Sequence, residues 1–312
     1  MKNKIRSFSM FITIISLLVL CCLHLAAAAE EFTGMDDYLE WAFNKGYPQG
    51  LLVPLGINGI NQDYFHSLPD SAGYSSGRIV IGDSRCCQLG IWQSRNGTGD
   101  FAAFAVWGGH YVAGTGTPAM TWQLLSEVEE CFHTQIRIQG KCTVFFFATV
   151  NDYDYSGYNN SGYISAAVAS AEMIASMTYE YEGTVYHPEV IVIGFDGAQM
   201  TGTLSGFNRF VDAYNMELRD AVSSSPVLKE NASLFTTVPE ITGGRTTFIS
   251  DGLHYSDATF QNIADHMKAV SAGGSPLGEV TAEEKGTGQA AEAINQAQTY
   301  KEPFLILYRI GE

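Results

Sequence analysis

Five short apolar runs rich in β-branched and aromatic residues, spaced by segments long enough for helices, limit the folds open to this chain. They cover residues 78–81, 102–106, 143–149, 189–193 and 233–238. Near-continuous apolar strands of this kind have no polar face to give to water, so both sides of their sheet must be covered. Helical spacing in 122–132, 164–179, 207–221 and 258–270 supplies the cover. The expected class is α/β: a three-layer α/β/α sandwich around a five-stranded parallel sheet.

The ends of the chain read differently. Lys2, Lys4 and Arg6 precede an apolar stretch from about Met10 to Leu25 and the alanines 26–29, the pattern of a secretory signal peptide spanning 1–29. An uncleaved anchor is the alternative, and the alanine cluster favours cleavage. Cys21 and Cys22 lack the preceding small residue of a lipoprotein signal. Residues 30–76, rich in Gly, Tyr, Asn and Pro, are expected to form loops and a short helix. One large α/β domain then runs over 30–272, and Gly273-Gly274-Ser275-Pro276 opens a tail, 273–312, expected as a helix with an edge strand or a segment ordered by a partner.

Removing 1–29 takes three of the 17 basic residues and none of the 33 acidic ones, which lowers the formal charge from −16 to −19. Such a surface repels nucleic acid and anionic membranes, so neither is expected as a partner. A secreted or cell-surface protein acting on small or glycan substrates fits it. Of the cysteines that remain, Cys131 and Cys142 could pair outside the cell, or all four with Cys86 and Cys87 could be buried thiols. No Cys-x-x-Cys pair suggests a zinc site, and no metal or other cofactor is expected.

The chemistry gathers at the ends of the strands. The first apolar run leads into Gly82-Asp83-Ser84-Arg85, which puts a serine hydroxyl where a strand turns into a helix. A nucleophilic serine needs a base and an acid to orient it. Asp251-Gly252-Leu253-His254 offers both; with Asp three residues before His, the carboxylate can reach Nδ1 while Nε2 faces the serine. Donors for an oxyanion can come from Gly108-Gly109 after the second strand and from Asn151 after the third. Each element alone is weak, since Gly-Gly is usually a turn and Asn-Asp usually a cap.

In order and spacing these four segments resemble the blocks of the SGNH (GDSL-like) hydrolases over residues 78–270. The resemblance implies a flavodoxin-like fold, with Ser84 as nucleophile, His254 as general base and acid, and Asp251 as orienting acid. It also implies an oxyanion hole of the Ser84 N–H, the Gly109 N–H and the Asn151 side chain. Gly-Asp-Ser-Arg with Asp-Gly-Leu-His-Tyr-Ser (251–256) is similar to an exported bacterial GDSR-type subset. Two positions depart from the common pattern: Arg85 stands in place of its leucine and Thr149 in place of its glycine.

The implied activity is hydrolysis of short-acyl esters, acetyl esters of carbohydrates among them. A glycan-binding protein that has lost catalysis and an O-acyltransferase are the alternatives. Trp107, Tyr153 and Tyr155 are candidate contacts for a sugar; the alternative is that the tyrosines of this loop cover the edge of the core. Arg85 is a candidate for a substrate carboxylate, or else a structural partner of Asp83 or Asp152.

Overall fold

The structure is a computed structural model and describes residues 51–57, 60–67, 69, 71–114, 119–198, 206–249 and 251–271. The expected signal peptide and the tail 273–312 lie outside the described residues. The strands are β1 (Leu51–Ile57), β2 (Ile60–His66), β3 (Arg78–Gly82), β4 (Ala102–Val106), β5 (Thr143–Phe147), β6 (Tyr179–Tyr181), β7 (Thr184–Tyr186), β8 (Glu189–Gly194) and β9 (Leu234–Thr237). The helices are α1 (Ser84–Asn96), α2 (Met120–Gln139), α3 (Asn160–Ala175), α4 (Val211–Ser224), α5 (Pro226–Glu230), α6 (Val238–Thr242) and α7 (Asp257–Val270).

The five expected strands form the parallel heart of a seven-stranded sheet ordered β1-β2-β4-β3-β5-β8-β9. Counting only the parallel strands, the order is that of a doubly wound flavodoxin-like sheet, whose direction of winding reverses around β3. At such a reversal the loops leave the carboxyl edge in opposite directions and open a crevice. Ser84 lies just past the end of β3, at that crevice.

Alternation along the strands explains the three layers. Ile79, Ile81, Phe104, Val144, Phe146 and Val192 pack on one face against α2, α3 and α4. Val80, Ala103, Ala105, Phe145, Phe147 and Ile193 pack on the other with residues of α1 and α7. Every residue of β4 and β5 is buried, as their apolar runs require.

The sheet is wider than the sequence reading. Part of the segment expected as loops and a helix forms β1 and β2, which pair antiparallel with each other and place β2 antiparallel on β4, with Tyr64 opposite Val106 and His66 opposite Phe104. Gly and Pro in this stretch suggested loop, but Pro54 falls in the edge strand, where a missing N–H is tolerated. Asn58-Gly59 between the two runs is the hairpin signal that went unread. The small β6–β7 hairpin was also unforeseen. Cys86, Cys87, Cys131 and Cys142 are all buried, and Cys131 and Cys142 form no disulfide, so the structure takes the thiol alternative over a Cys131–Cys142 bridge.

The end of β3 is too crowded for any side chain. A Cβ on Gly82 would stand 2.3 Å from Cys86 Sγ and 3.1 Å from the Cβ of Phe147. Gly82→Ala is expected to destabilise the protein by about 1–3 kcal/mol, the usual cost of overpacking a tight site, measured as a lower urea midpoint.

Candidate active site

Asp83 ends the strand and starts the helix. In extended conformation it caps α1, one carboxylate oxygen accepting the Arg85 N–H at 3.0 Å. Its other oxygen accepts the Thr149 hydroxyl at 2.7 Å and the Val150 N–H at 3.1 Å. One buried carboxylate therefore ties the end of β3 to the loop after β5. Ser84, the first residue of α1, has its N–H at the positive end of the helix dipole.

Opposite Ser84 lies the loop between α6 and α7. A β-bridge between Phe248 and Tyr255, with Ile249 N–H donating to the His254 carbonyl at 2.9 Å, closes the loop. Gly252, with φ of +69°, makes the reversal that only glycine adopts without strain. Within the loop, Asp251 Oδ1 accepts the N–H groups of Leu253 and His254 at 2.8 and 2.9 Å. Asp251 Oδ2 lies 2.6 Å from His254 Nδ1, and His254 Nε2 lies 3.0 Å from Ser84 Oγ. An ionised carboxylate can only accept, so Nδ1 carries the proton and Nε2 is left to accept from the serine. Burial works against ionisation of Asp251, but the hydrogen bonds from the His254 ring and the two backbone N–H groups outweigh it and hold its pKa below the ordinary carboxylate value.

Trp107 stacks on the His254 imidazole, with ring centres 5.1 Å apart and planes at 27°. It sits in the turn after β4, closed by the Gly109 N–H donating to the Val106 carbonyl at 2.9 Å, with Gly108 at φ +66°. Gly109 has no room for a side chain, since a Cβ would meet Met120 Sδ at 2.5 Å and the Val106 carbonyl oxygen at 2.8 Å. This corrects the reading of Gly109 as the oxyanion donor: its N–H is spent in closing the turn. The N–H of Gly108 makes no hydrogen bond among the described residues.

Asn151 joins this turn to the loop after β5. Its amide donates to the Gly109 carbonyl at 3.0 Å and to Thr149 Oγ1 at 3.1 Å. Next to it, buried Asp152 accepts from His110 Nδ1 at 2.8 Å and from the N–H of Tyr111. Sequence reasoning missed this clamp, whose two members sit 42 residues apart in the chain. It also missed the capping role of Asp83, although an Asp just before a helix is itself a capping signal.

Two other expectations are corrected. Tyr153 is buried among Phe195, Phe207 and Tyr214, its hydroxyl donating to the Phe207 carbonyl at 2.6 Å, so it serves the core and cannot meet a substrate. Arg85 is 4% exposed. Its guanidinium pairs with neither Asp83 nor Asp152, but with the Leu253 carbonyl and the Tyr255 hydroxyl. Tyr155 remains exposed, as do Tyr158 and Trp122.

The buried thiol of Cys86 is no rival to Ser84 as nucleophile, because burial raises its pKa well above the usual thiol range. Among the described residues no cluster of three or more His, Cys, Asp or Glu side chains could hold a metal ion, and no helix is long and apolar enough to cross a membrane.

No protein-family model matches the sequence, and no curated protein does. Among solved structures, a GDSL-like lipase from Bacteroides thetaiotaomicron is similar over 63% of this chain and 88% of its own, at 13% identity and a TM-score of 0.42. An inhibitor-bound aryl esterase from M. smegmatis is similar over 62% and 97%, at 14% identity and a TM-score of 0.41. A carbohydrate acetylesterase family member from Sinorhizobium meliloti is similar over 62% and 96%, at 14% identity and a TM-score of 0.42.

The His110–Asp152 clamp gives a pH signature. The hydrogen bond that His110 donates to Asp152, opposed by partial burial, raises the His110 pKa from its ordinary 6.5. A raised folded-state pKa adds stability that is fully present below the unfolded value and fades as pH rises through the folded one. The stability difference between wild type and His110→Gln, from urea unfolding across pH 5 to 9, should therefore be largest at the acid end and shrink above neutrality.

Proposed function

We propose that this chain is an exported serine ester hydrolase of the SGNH (GDSL-like) type that removes short acyl groups, acetyl above all, from carbohydrate esters. The observation that carries the reading is the continuous relay of Asp251, His254 and Ser84, with links of 2.6 and 3.0 Å. Serine needs a positioned base to attack a carbonyl at neutral pH, and the base needs a carboxylate to fix its tautomer.

In the first step His254 Nε2 takes the proton of Ser84 as Oγ attacks the ester carbonyl. The negative charge that develops on the carbonyl oxygen is met by the N–H of Ser84 at the start of α1 and by the N–H of Gly108, which replaces Gly109 in this role. Asn151 supplies a third donor when its amide exchanges the Thr149 bond for the oxyanion. His254 then gives its proton to the leaving alkoxide, and the alcohol departs. Water, deprotonated by the same imidazole, attacks the acyl-enzyme; collapse of the second tetrahedral intermediate frees the acid and returns the proton to Ser84. Trp107, stacked on the imidazole, restricts the ring to this hand-over.

The carbohydrate part of the reading rests on exposed aromatic residues that follow β4 and β5 in the chain. Trp122 in the first turn of α2, and Tyr155 and Tyr158 in the loop before α3, are 61%, 49% and 88% exposed. All three lie on segments that leave the carboxyl edge of the sheet, where Ser84 sits. Exposed aromatic faces among polar neighbours suit sugar rings. Export rests on the amino-terminal pattern of basic, apolar and small residues, and the acidic net charge, which repels nucleic acid and anionic membranes, supports a neutral or weakly charged substrate.

Ser84→Ala should keep the fold and abolish release of p-nitrophenol from p-nitrophenyl acetate, with loss of labelling by a fluorophosphonate; turnover equal to wild type would remove the assignment. Asp251→Asn should lower kcat by about 10²- to 10⁴-fold, as expected when the imidazole loses its tautomer. Against acetylated xylan, Tyr158→Ala should raise KM several-fold with p-nitrophenyl acetate hydrolysis unchanged; an equal effect on both substrates would place sugar recognition elsewhere.

A further inference from the structure

Arg85 has no part in the proton relay, yet it is the residue most closely bound to both halves of it. It follows Ser84 in the chain, and its side chain crosses to the loop that carries the base. Nε donates to the Leu253 carbonyl at 3.1 Å, and Nη1 donates to the Tyr255 hydroxyl at 2.8 Å. Leu253 and Tyr255 are the residues immediately before and after His254. The guanidinium also lies over the Tyr255 ring, 4.5 Å from its centre, and 6.0 Å from the centre of Phe195.

Stability does not explain this arrangement. Arg85 is almost fully buried, no carboxylate forms an ion pair with it among the described residues, and Nη2 has no hydrogen-bond partner. A buried cation with an unsatisfied donor costs free energy that a leucine or methionine of similar length would not. What an apolar side chain cannot do is hold a backbone carbonyl and a phenol hydroxyl at once, in the plane of one rigid fork. The two contacts bracket His254, so the fork fixes where the loop sits relative to the start of α1.

We infer that Arg85 is a positioning residue that sets the Ser84–His254 separation by gripping the residues on either side of the base. The inference rests on the hydrolase reading for its kinetic consequences, but the order of the His254 loop can be observed without substrate. Each contact acts on a different flank: the Leu253 carbonyl fixes the approach to His254, and the Tyr255 hydroxyl fixes its exit into α7.

The test uses the full chain and four variants: Arg85→Ala, Arg85→Lys, Tyr255→Phe and Ser84→Ala. Hydrolysis of p-nitrophenyl acetate gives kcat and KM, and proton NMR without substrate follows the His254 Nδ1 proton held by Asp251. Arg85→Ala should lower kcat by about 10- to 100-fold, the scale of a misplacement near 1 Å, with KM little changed. Its Nδ1 proton signal should broaden or be lost to exchange, and added methylguanidinium should restore part of kcat and the signal. Arg85→Lys should rescue poorly, because an ammonium cannot make both contacts in one plane. Tyr255→Phe, which removes a single hydroxyl, should show a smaller fall in kcat and decides the matter if Arg85→Ala does not fold. Wild-type kcat together with an unchanged Nδ1 signal in Arg85→Ala, or in Tyr255→Phe where Arg85→Ala is unfolded, would overturn the inference. If Ser84→Ala retains full turnover, the hydrolase reading falls by itself, and the Nδ1 signal still decides whether Arg85 orders the base.

Discussion

The buried carboxylate of Asp83 is the constraint on which the rest of the site depends. Three donors converge on it, the Arg85 N–H, the Val150 N–H and the Thr149 hydroxyl. A charge buried to 2% exposure persists only when its lone pairs are satisfied in this way. Because those donors belong to two different strand ends, satisfying the charge also sets the geometry between them. Ser84 is placed by the helix that Asp83 caps, and Asn151 by the loop that Asp83 holds.

From that anchor the network spreads along the carboxyl edge to the strand ends on both sides of β3. Thr149 meets the Gly109 carbonyl at 3.1 Å, Asn151 meets the same carbonyl, and Asp152 holds His110 and Tyr111. The loops after β3, β4 and β5 are therefore joined in one hydrogen-bonded network. The loop carrying Asp251 and His254 is attached differently: it reaches Ser84 through its own imidazole and Arg85 through Leu253 and Tyr255. Ser84, Gly108 and Asn151 lie on one hydrogen-bonded half of the site, and a separate hairpin brings His254 to it. Such a network fixes the relative positions of the strand ends before a substrate arrives, which limits the rearrangement a reaction would need.

The sequence made the parallel core legible because its signal is local. Buried strands such as Ala102–Val106 and Thr143–Phe147 must be apolar throughout, and that can be read residue by residue. The relay was legible for a similar reason: Asp251 and His254 sit three residues apart, and Ser84 follows a strand directly. What stayed hidden depends on contacts between distant segments. Nothing near Arg85 announces that it will grip Leu253 and Tyr255, 168 and 170 residues away. Nor does any neighbour of Tyr153 show that its ring belongs to the core while Tyr155, two residues on, faces water. The Gly108–Gly109 ambiguity was of another kind, because either N–H satisfies the sequence pattern and only the turn geometry shows which one is spent.

Arg85 shows how the two halves of the site can meet without a covalent or hydrophobic seam. Pure apolar packing would hold the His254 hairpin firmly but leave it free to settle by a few tenths of an ångström, since hydrophobic contacts are not directional. A proton transfer over 3.0 Å has little tolerance for such drift. Directional bonds from a planar guanidinium remove that freedom along two axes, and stacking on Tyr255 removes it along the third. Nη2, left without a hydrogen-bond partner among the described residues, is then the cost of orienting the fork toward Leu253 and Tyr255.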